Sequence, residues 1–547
     1  MEVKAILFDT RSIQQYIFAG NKLKTNIGAS YIVDRLFSDV LIDGVLNRLG
    51  YGIEKDAWKT SSALAIETDA SVRCEVGYIG GGNALVLFQP EEDTAVVIRE
   101  FTKEVLLKYP GLLTGAAAGT LCLGEGKEKF QSSLDELYKK LKENQNRYAP
   151  VTKIPYTGLT VPCKISGGTA DIWDKNKLSG EKEFVDAGIM AKLQETALMA
   201  KDAMTKKIKN IKNILAGKFA FPDSLEDLGQ IETEDYVAIV HIDGNNMGIR
   251  FGACKDFMER KKLSLAVAEK CQKSFGKLLQ SIISEYDAQK ENKSFGFKQC
   301  GQGEGSKWYL PIRPLILGGD DVTFVCMGRM ALEYTRRYIS YMEADEGVRI
   351  DCCGGIAILN TSYPFFRGYE MAEQLCGEAK KRSRREKKML EDKEKKKAED
   401  ISSSWLDFAL LHGEQAPDIS DIRSQEYSGV LGNMHFGPYK VFTPASNSAN
   451  KRYDIEKLLA GIRLLPQAMA NNKIKELRAV LARDAHAMER FVEQLCRNGG
   501  SLPLIEGWES YSQQLWCREA EAQEMATPYV DMIEMMKFTD DTGRRSV

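Results

Sequence analysis

PLILGGDDVTFVC, residues 314–326, places two glycines and two aspartates between short apolar runs rich in β-branched residues. Glycine and aspartate are ordinary turn residues, so the stretch predicts a β-hairpin. The adjacent carboxylates of Asp320 and Asp321, next to the bare backbone of Gly318 and Gly319, also suit a metal site. This stretch alone leaves both interpretations open, and the rest of the chain has to decide between them.

The composition is that of a folded protein with several domains. Of the 547 residues, 43% are hydrophobic and 28% charged, and the formal net charge is −2. This length predicts about three or four domains. The small net charge gives no overall attraction to nucleic acid or to anionic membranes, so such a contact would need a local basic patch. The start MEVKAILFD does not resemble a leader and no window approaches 18 apolar residues, so we expect a cytoplasmic location.

The cysteines and histidines do not form metal-binding patterns. None of the 12 cysteines falls in a CxxC pair, so we expect no zinc. The four histidines include no His-Asp dipeptide and no HExxH, so a histidine-based metallohydrolase is not supported.

An internal repeat relates the hairpin to an earlier stretch. YIGGGNALVLF, residues 78–88, has a similar glycine pattern, and Gly80 precedes Gly318 by 238 residues. The same offset relates GAAAGTLCL (115–123) to CGGIAILNT (353–361), and FQSSLDELYKKLKENQNR (130–147) to GYEMAEQLCGEAKKRSRR (368–385). An offset of 234 relates Asp9 of AILFDTRS (5–12) to Asp243 of AIVHIDGN (238–245). Four blocks in one order indicate a duplicated domain.

Each half is predicted to be a ferredoxin-like βαββαβ domain. A strand ending in aspartate precedes a long helix, the glycine hairpin, another strand and a helix with Leu134, Leu137 and Leu141 at helical spacing. We therefore predict an α+β protein whose two such domains form a pseudo-two-fold pair. The predicted domains are the first βαββαβ domain at 1–147, a connector at 148–232 with a helix at 183–215, the second βαββαβ domain at 233–395, and a helical domain at 396–547.

The second half carries the residues of a metal-dependent site. On this plan Asp243, at the end of the first strand, lies beside Asp320 and Asp321, and three carboxylates at one sheet edge repel each other unless cations lie among them. Two Mg²⁺ or Mn²⁺ ions about 4 Å apart could serve nucleotidyl transfer. Gly318 and Lys380 would then contact a nucleotide. The alternatives are that Asp243 is a strand-end turn residue and Lys380 a solvated helix end.

The first half lacks two of these carboxylates. Gly82 and Asn83 replace Asp320 and Asp321, and only Asp9 and Lys142 remain from the set. One carboxylate does not hold two divalent ions well, so we expect this half to bind a nucleotide without the metal pair. The residues predicted to contact nucleotide in the first half are Asp9, Ser30, Gly81, Asn83 and Lys142.

The motifs resemble a known family. GGDD, the preceding DGNNMG (243–248) and CGGIAILNTSYPFFRGYEMAEQLCGEAK (353–380) are similar to the palm-domain large subunit of type III CRISPR effector complexes. SIQQYIFAGNKLKTNIGASYIV (12–33) resembles its first palm domain, and the resemblance covers about residues 1–450. It implies two palm domains, a smaller domain between them and a helical domain after them. It also implies synthesis of cyclic oligoadenylates from ATP, as second messengers in antiviral defence.

The resemblance implies roles for individual residues. Asp243, Asp320 and Asp321 match its metal ligands and catalytic carboxylates, whereas Gly318, Gly319, Asn246, Ser264 and Lys380 match nucleotide-contacting positions. The chain departs from the family pattern in three respects: the first palm domain is expected to start at residue 1 with no His-Asp nuclease domain before it, the connector retains only Cys163 of a cysteine cluster, and Asn245 replaces a carboxylate. The first two departures suggest a stand-alone or divergent relative that need not belong to a guide-RNA complex, and the third could alter metal geometry or nucleotide choice.

Three functions remain open: an enzyme that makes cyclic or linear oligonucleotides, a non-catalytic nucleotide sensor, and a scaffold subunit of a guide-RNA complex. The expected partners are nucleoside triphosphates, RNA or other defence subunits, a nucleotide-activated effector and a second copy of the chain. The run at 380–400 has 11 basic and 6 acidic side chains and is either a solvated helix extension or a phosphate-binding strip. Trp405, Phe408 and His412 lie at helical spacing and are expected in the core of the helical domain.

Overall fold

The computed structural model describes most of the chain. The described residues are 1–147, 158–175, 180–195, 200, 203–204, 207–208, 215, 217–228, 235–288, 298–300, 306–394, 401–413, 416–443, 450–518 and 525–538. The chain folds into two compact units. The first comprises Met1–Ala216, Asn246–Gly276 and Pro314–Val322, and the second comprises Gly217–Asn245, Lys277–Arg313 and Thr323–Val547. The predicted domain boundaries remain predictions.

Strands and helices are mixed along the chain, which confirms the α+β class. The strands are β1 (Glu2–Arg11), β2 (Cys74–Gly80), β3 (Asn83–Phe88), β4 (Leu113–Cys122), β5 (Ile172–Lys175), β6 (Lys182–Val185), β7 (Phe219–Ala220), β8 (Tyr236–Gly244), β9 (Gln299–Cys300), β10 (Lys307–Tyr309), β11 (Ile312–Gly318), β12 (Asp321–Met327), β13 (Cys352–Asn360), β14 (Trp405–Leu410), β15 (Gly432–Asn433), β16 (Tyr439–Lys440), β17 (Cys517–Arg518) and β18 (Met525–Ala526). The α-helices are α1 (Ile13–Phe18), α2 (Leu23–Arg35), α3 (Ala57–Thr60), α4 (Thr94–Lys108), α5 (Lys127–Arg147), α6 (Ala187–Glu195), α7 (Met247–Ala253), α8 (Phe257–Ala288), α9 (Ala331–Glu343), α10 (Phe365–Glu394), α11 (Ile419–Glu426), α12 (Ile455–Ala468), α13 (Asn471–Leu481), α14 (Ala485–Arg497) and α15 (Tyr529–Met535). A π-helical segment, Leu36–Leu46, continues from α2.

The first unit contains a four-stranded antiparallel sheet in the order β2-β3-β1-β4. The run Ala5–Phe8 of β1 is wholly buried, as expected for a central strand with an apolar sequence. Helix α4 packs on this strand, with the rings of Phe101 and Phe8 4.8 Å apart. In α5 the buried side chains are Phe130, Leu134, Leu137 and Leu141, which confirms the helical face predicted there.

A second sheet has six strands in the order β11-β12-β8-β13-β14-β16. Strand β13 pairs antiparallel with β8 and parallel with β14. Its register reproduces the repeat, because Asp243 lies opposite Cys353 just as Asp9 lies opposite Gly115 in the first sheet. The duplication found in the sequence therefore extends to the pairing of individual residues.

Helix α10 packs very closely on β13. A Cβ atom on Gly355 would clash with the backbone oxygen of Ala372 and the backbone nitrogen of Cys376, both in α10. Only glycine permits this approach. The close contact fixes the helix that carries Lys380 against the strand next to β8.

The segment after residue 395 differs from the prediction. Trp405 and Phe408 lie in β14 of the six-stranded sheet rather than on a helix, and His412 follows the end of that strand. Residues Trp405–Ala409 are all buried, so the strand lacks the alternation that would distinguish it from a buried helix. The expected helices, α12 to α15, begin at Ile455.

The connector is only partly described. Strand β6 occupies the start of the helix predicted at 183–215, and α6 begins at Ala187. Most of the remaining positions of that prediction, including 196–199 and 209–214, lie outside the described residues. Among the helices that the structure describes, none combines the length and apolar content required to cross a bilayer.

Candidate functional site

The GGDD stretch forms the predicted hairpin. β11 ends at Gly318, β12 begins at Asp321, and Gly319 has a φ of 65°, a left-handed conformation that favours glycine. A Cβ atom on Gly319 would meet no atom within 4 Å, and one on Gly318 would meet only Ile316, at 3.8 Å. The turn therefore presents its backbone to open space, with Asp320 and Asp321 beside it.

The corresponding turn of the first half is built without acids. Gly81 and Gly82 have φ values of 58° and 77°, and the Asn83 side chain donates a hydrogen bond of 3.1 Å to the Gly81 carbonyl oxygen. Gly81 faces open space, whereas a Cβ atom on Gly82 would clash with Ile13. The glycines thus suffice for the turn, and the aspartates of the second hairpin are not required for its geometry.

Asp243 and Lys380 meet in the second unit. The Lys380 ammonium group donates a hydrogen bond to the Asp243 carboxylate, and both side chains are partly exposed. Burial disfavours the charge on Lys380, but the Asp243 carboxylate outweighs this effect and raises the pKa of Lys380 above its ordinary value. Two predicted site residues, 137 positions apart in the sequence, are therefore brought into contact.

Asn245 has a structural role that its position in the motif does not reveal. Its side-chain nitrogen donates hydrogen bonds of 3.1 Å to the Asp351 carboxylate and to the Ser403 carbonyl oxygen. The residue is buried. An amide suits this position because it donates to two acceptors, which a carboxylate cannot do. The departure from the family pattern thus occurs at a residue that faces the interior.

The next residue, Asn246, has a φ of 59° and precedes α7. The described residues offer no hydrogen-bond partner to its buried side-chain nitrogen. This position remains a predicted nucleotide contact.

His241 was not singled out by sequence reasoning. It is buried in β8, and its Nδ1 atom lies 3.2 Å from the hydroxyl of Thr323 in β12. Burial lowers its pKa, which favours the neutral imidazole. The contact links β8 and β12 two residues away from Asp243 and Asp321, respectively.

The first half places a different residue beside its aspartate. Gln145 in α5 donates a hydrogen bond of 2.6 Å to Asp9, and burial raises the pKa of Asp9. Lys142, the repeat partner of Lys380, is exposed. Gln145 lies four residues after the buried Leu141 and so continues the apolar face of the helix. That helical spacing was the signal that could have identified it.

Two serines predicted to contact nucleotide lie against glycine hairpins within the first unit. The Ser30 hydroxyl in α2 donates a hydrogen bond to the Leu315 carbonyl oxygen in β11. Ser264 in α8 lies against β2, where its hydroxyl would be 3.2 Å from a Cβ atom on Gly80. Each serine thus contacts the hairpin of the opposite repeat, and the two contacts are reciprocal.

The described residues do not form a ready metal centre. No group of three or more His, Cys, Asp or Glu side chains among them is arranged to hold a metal ion. Asp320 and Asp321 fall in the first compact unit, whereas Asp243 and Lys380 fall in the second. The predicted metal ligands therefore remain a prediction.

No protein-family model and no curated protein matches the sequence. Solved structures do match. A crystal structure of a Csm1–Csm4 cassette in complex with pppApA matches with a TM-score of 0.50 and 12% identity over 98% of this chain and 69% of that chain.

Two further crystal structures match over a shorter span. The Csm1–Csm4 cassette in complex with cA4 gives a TM-score of 0.41 and 12% identity, and the Csm1–Csm4 subcomplex in the type III-A CRISPR-Csm interference complex gives 0.42 and 14%. Each match covers 70% of this chain and 53% of the other, so the chain spans about half the length of these two relatives. At such identities the likeness concerns fold. The chain is thus similar in fold to the Csm1–Csm4 cassette, which confirms the resemblance indicated by its motifs.

Proposed function

We propose that the chain is a metal-dependent nucleotidyltransferase of the palm type. It joins ATP into cyclic or linear oligoadenylates that act as second messengers in antiviral defence. The two repeats are its palm domains, of which the second is catalytic and the first binds nucleotide.

The observation that carries this proposal is the contact between Asp243 and Lys380. It supports a polar centre at the end of β8, where sequence and strand order both predict the site. β12 neighbours β8 in the sheet, and His241 of β8 contacts Thr323 of β12.

The donor set suits hard cations, because Asp243, Asp320 and Asp321 offer only oxygen ligands. These three residues would hold Mg²⁺ or Mn²⁺, and Asp243 would exchange Lys380 for the cation. When bound, the metal pair would stabilise the charge that develops during transfer to a 3′-hydroxyl.

The other residues bind and orient the nucleotide. The open backbone at Gly318 and Gly319 admits a phosphate close to the main chain. Lys380, released from Asp243, supplies a compact positive charge for a β- or γ-phosphate. In the first half, Gly81 offers a similar open turn, while Asp9 remains hydrogen-bonded to Gln145.

The complex of the Csm1–Csm4 cassette with pppApA supports adenosine nucleotides as the ligand class. We therefore take ATP as substrate. Other subunits of a guide-RNA complex and RNA are the partners proposed for the chain.

Incubation of the purified chain with each nucleoside triphosphate and Mg²⁺ or Mn²⁺, with and without RNA, tests this function. Mass spectrometry should detect an oligoadenylate only with ATP, and EDTA should abolish it. Asp320→Ala combined with Asp321→Ala should remove the product, whereas Asn83→Ala should raise the ATP concentration required. Product formation by the double variant at the wild-type rate would contradict the proposal.

A second candidate is a non-catalytic nucleotide sensor or scaffold subunit. The ion pair between Asp243 and Lys380 favours it, because that pair satisfies a carboxylate that catalysis needs for a metal. Nucleotide binding without product under every condition above would support this alternative.

A further inference from the structure

Strands β5 and β6 of the connector form a two-stranded antiparallel ribbon. Their register places Trp173 opposite Phe184 and Lys175 opposite Lys182. Because successive side chains of a strand point to opposite sides, these four residues share one face of the ribbon, the aromatic–basic face. This face contains none of the residues predicted to bind nucleotide or metal.

The opposite face of the ribbon turns towards the core of the connector. Val185 lies on it, is buried, and belongs to a hydrophobic cluster with Cys163 and Ile189. Asp174 and Glu183, the acidic residues of the two strands, also lie on this opposite face. The alternation of side chains therefore separates these carboxylates from the aromatic–basic face.

The aromatic–basic face is exposed to solvent. Trp173 and Phe184 are 57% and 45% exposed, and their ring centres lie 4.6 Å apart. Lys175 and Lys182 are exposed as well. Between the strands, the sequence NKLSGE (176–181) has one lysine and one glutamate and so adds no net charge. The face thus presents two aromatic rings beside two ammonium groups.

This combination suits single-stranded nucleic acid. A cross-strand aromatic pair stabilises a ribbon by itself, which accounts for the contact between the two rings but not for their exposure beside lysines. Unpaired bases stack on exposed rings, while phosphates pair with neighbouring cations. Two residues along a strand span about 6.8 Å, so each lysine can reach a phosphate next to a base stacked on the ring beside it.

Other partners fit the face less well. A nucleic-acid duplex keeps its base faces within the stack, so it would contact the lysines without using the rings. A protein that covered the rings would bury both ammonium groups, which is unfavourable unless carboxylates pair with them. Single-stranded nucleic acid uses all four side chains.

We propose that the aromatic–basic face binds single-stranded RNA, with a base stacked on Trp173 or Phe184 and phosphates paired with Lys175 and Lys182. The binding does not depend on base identity, because every base has a face that can stack. The proposal rests on the proposed function only in the choice of RNA as the partner. The face itself requires neither metal nor nucleoside triphosphate.

Fluorescence anisotropy of a labelled, unstructured RNA of about 12 nucleotides tests the face in the full chain. EDTA is present and ATP is absent, so failure of this binding leaves the proposed catalysis intact, and failure of catalysis leaves this binding intact. The single strand should bind at least about tenfold more tightly than its duplex with a complementary RNA. No binding of the single strand, equal binding of the duplex, or equally effective displacement by polyglutamate would overturn the proposal.

A double variant tests the rings. Trp173→Leu with Phe184→Leu keeps an apolar pair across the ribbon and should weaken binding by about tenfold or more, because the stacking surface is lost. Phe366→Leu removes an exposed ring of α10 and should weaken binding by less than about twofold. Binding of the double variant with wild-type affinity would overturn the proposal.

A second double variant tests the lysines. Lys175→Ala with Lys182→Ala changes only exposed side chains, so the protein should fold, and thermal melting checks this. Between about 50 and 200 mM sodium chloride, the slope of log affinity against log salt should become flatter by about 1.4, or about 0.7 for each lost phosphate contact. Lys103→Ala with Lys139→Ala, at exposed positions of α4 and α5, should change the slope by less than about 0.3. Equal changes in slope for the two pairs would overturn the proposal.

Discussion

Replacing Asn245 by aspartate tests whether this position belongs to the interior or to the metal site. The change introduces a carboxylate at the position where the resemblance implies one. In the structure, however, the Asn245 amide donates to Asp351 and to the Ser403 carbonyl oxygen, both at 3.1 Å. The Asp351 carboxylate is itself buried and paired with Lys387 at 2.6 Å. We therefore expect Asn245→Asp to destabilise the fold rather than to improve activity.

The magnitude follows from these contacts. Loss of the donors removes one hydrogen bond from each of two buried acceptors, at about 1–3 kcal/mol in total, although Asp351 keeps its ion pair with Lys387 and the Ser403 carbonyl oxygen keeps the hydrogen bond from the Ser383 hydroxyl. Two carboxylates about 3 Å apart repel by roughly 5 kcal/mol at an effective dielectric constant of about 20, and the new carboxyl escapes most of this by retaining its proton. We expect a loss of about 3–5 kcal/mol in the free energy of unfolding at pH 8.

The destabilisation by Asn245→Asp should depend on pH with a definite sign. The pKa of the new carboxyl should be raised in the folded state above its unfolded value of about 4. The folded state then binds more protons than the unfolded state, so the penalty is largest above the folded pKa and shrinks as the pH falls towards 4. Urea denaturation at pH 8 and pH 5 measures both quantities.

Asn472→Asp is the matched control, because Asn472 is exposed at the start of α13 and should change stability by less than about 0.5 kcal/mol. An Asn245→Asp protein as stable as the wild type at pH 8, with no pH dependence of the difference, would refute the reasoning.

Three further predictions concern packing, charge and binding. Gly355→Ala should lower the free energy of unfolding by at least about 3 kcal/mol in urea denaturation, because its Cβ would clash with the α10 backbone. Gly377→Ala, in α10 and facing open space, should instead raise it by about 0.5–1 kcal/mol. Similar effects of the two substitutions would contradict the close packing of α10 on β13. Burial and Arg423 oppose protonation of His435, but Asp531 and Asp407 outweigh them and raise its pKa to about 9. The stabilisation that protonated His435 gives the fold is complete below pH 6.5 and is lost as the pH rises towards 9, by up to about 3 kcal/mol. His435→Gln should abolish this pH dependence of the free energy of unfolding in denaturation curves. Lys380→Met removes the cation beside Asp243 and should weaken ATP binding about tenfold in calorimetry. Lys142→Met, at an exposed position, should weaken ATP binding less. A larger effect of Lys142→Met than of Lys380→Met would contradict the role assigned to Lys380.

Much of the arrangement of strands and hairpins in the two repeats could be predicted from the sequence, because the two copies of one pattern constrain each other. The glycine hairpins and the shared register at Asp9 and Asp243 follow from the repeat, and the contact of Lys380 with Asp243 agrees with it. In the first half Gln145 rather than Lys142 lies beside Asp9, because an offset between repeats does not record which face a helix buries; Lys142 stays a predicted nucleotide contact.

The region after residue 395 resisted prediction for another reason. β14 is buried on both sides and includes Asp407, whose pKa Arg423 and His435 lower despite its burial. Strands are identified in a sequence by alternating apolar and polar residues, and a charged residue within a buried strand breaks that alternation. Its partners come from sequence positions that no local pattern connects to it.

The reciprocal contacts of Ser30 and Ser264 have a consequence for synthesis of the chain. Ser30 finds its partner, Leu315, 285 residues later. At about 5–20 residues per second, the ribosome needs roughly 15–60 s to deliver that partner. During this interval the first repeat has left the ribosome without the carbonyl group that accepts the Ser30 hydrogen bond. A nascent chain is thus exposed at this surface, and a chaperone that acts during translation would find its binding surface there.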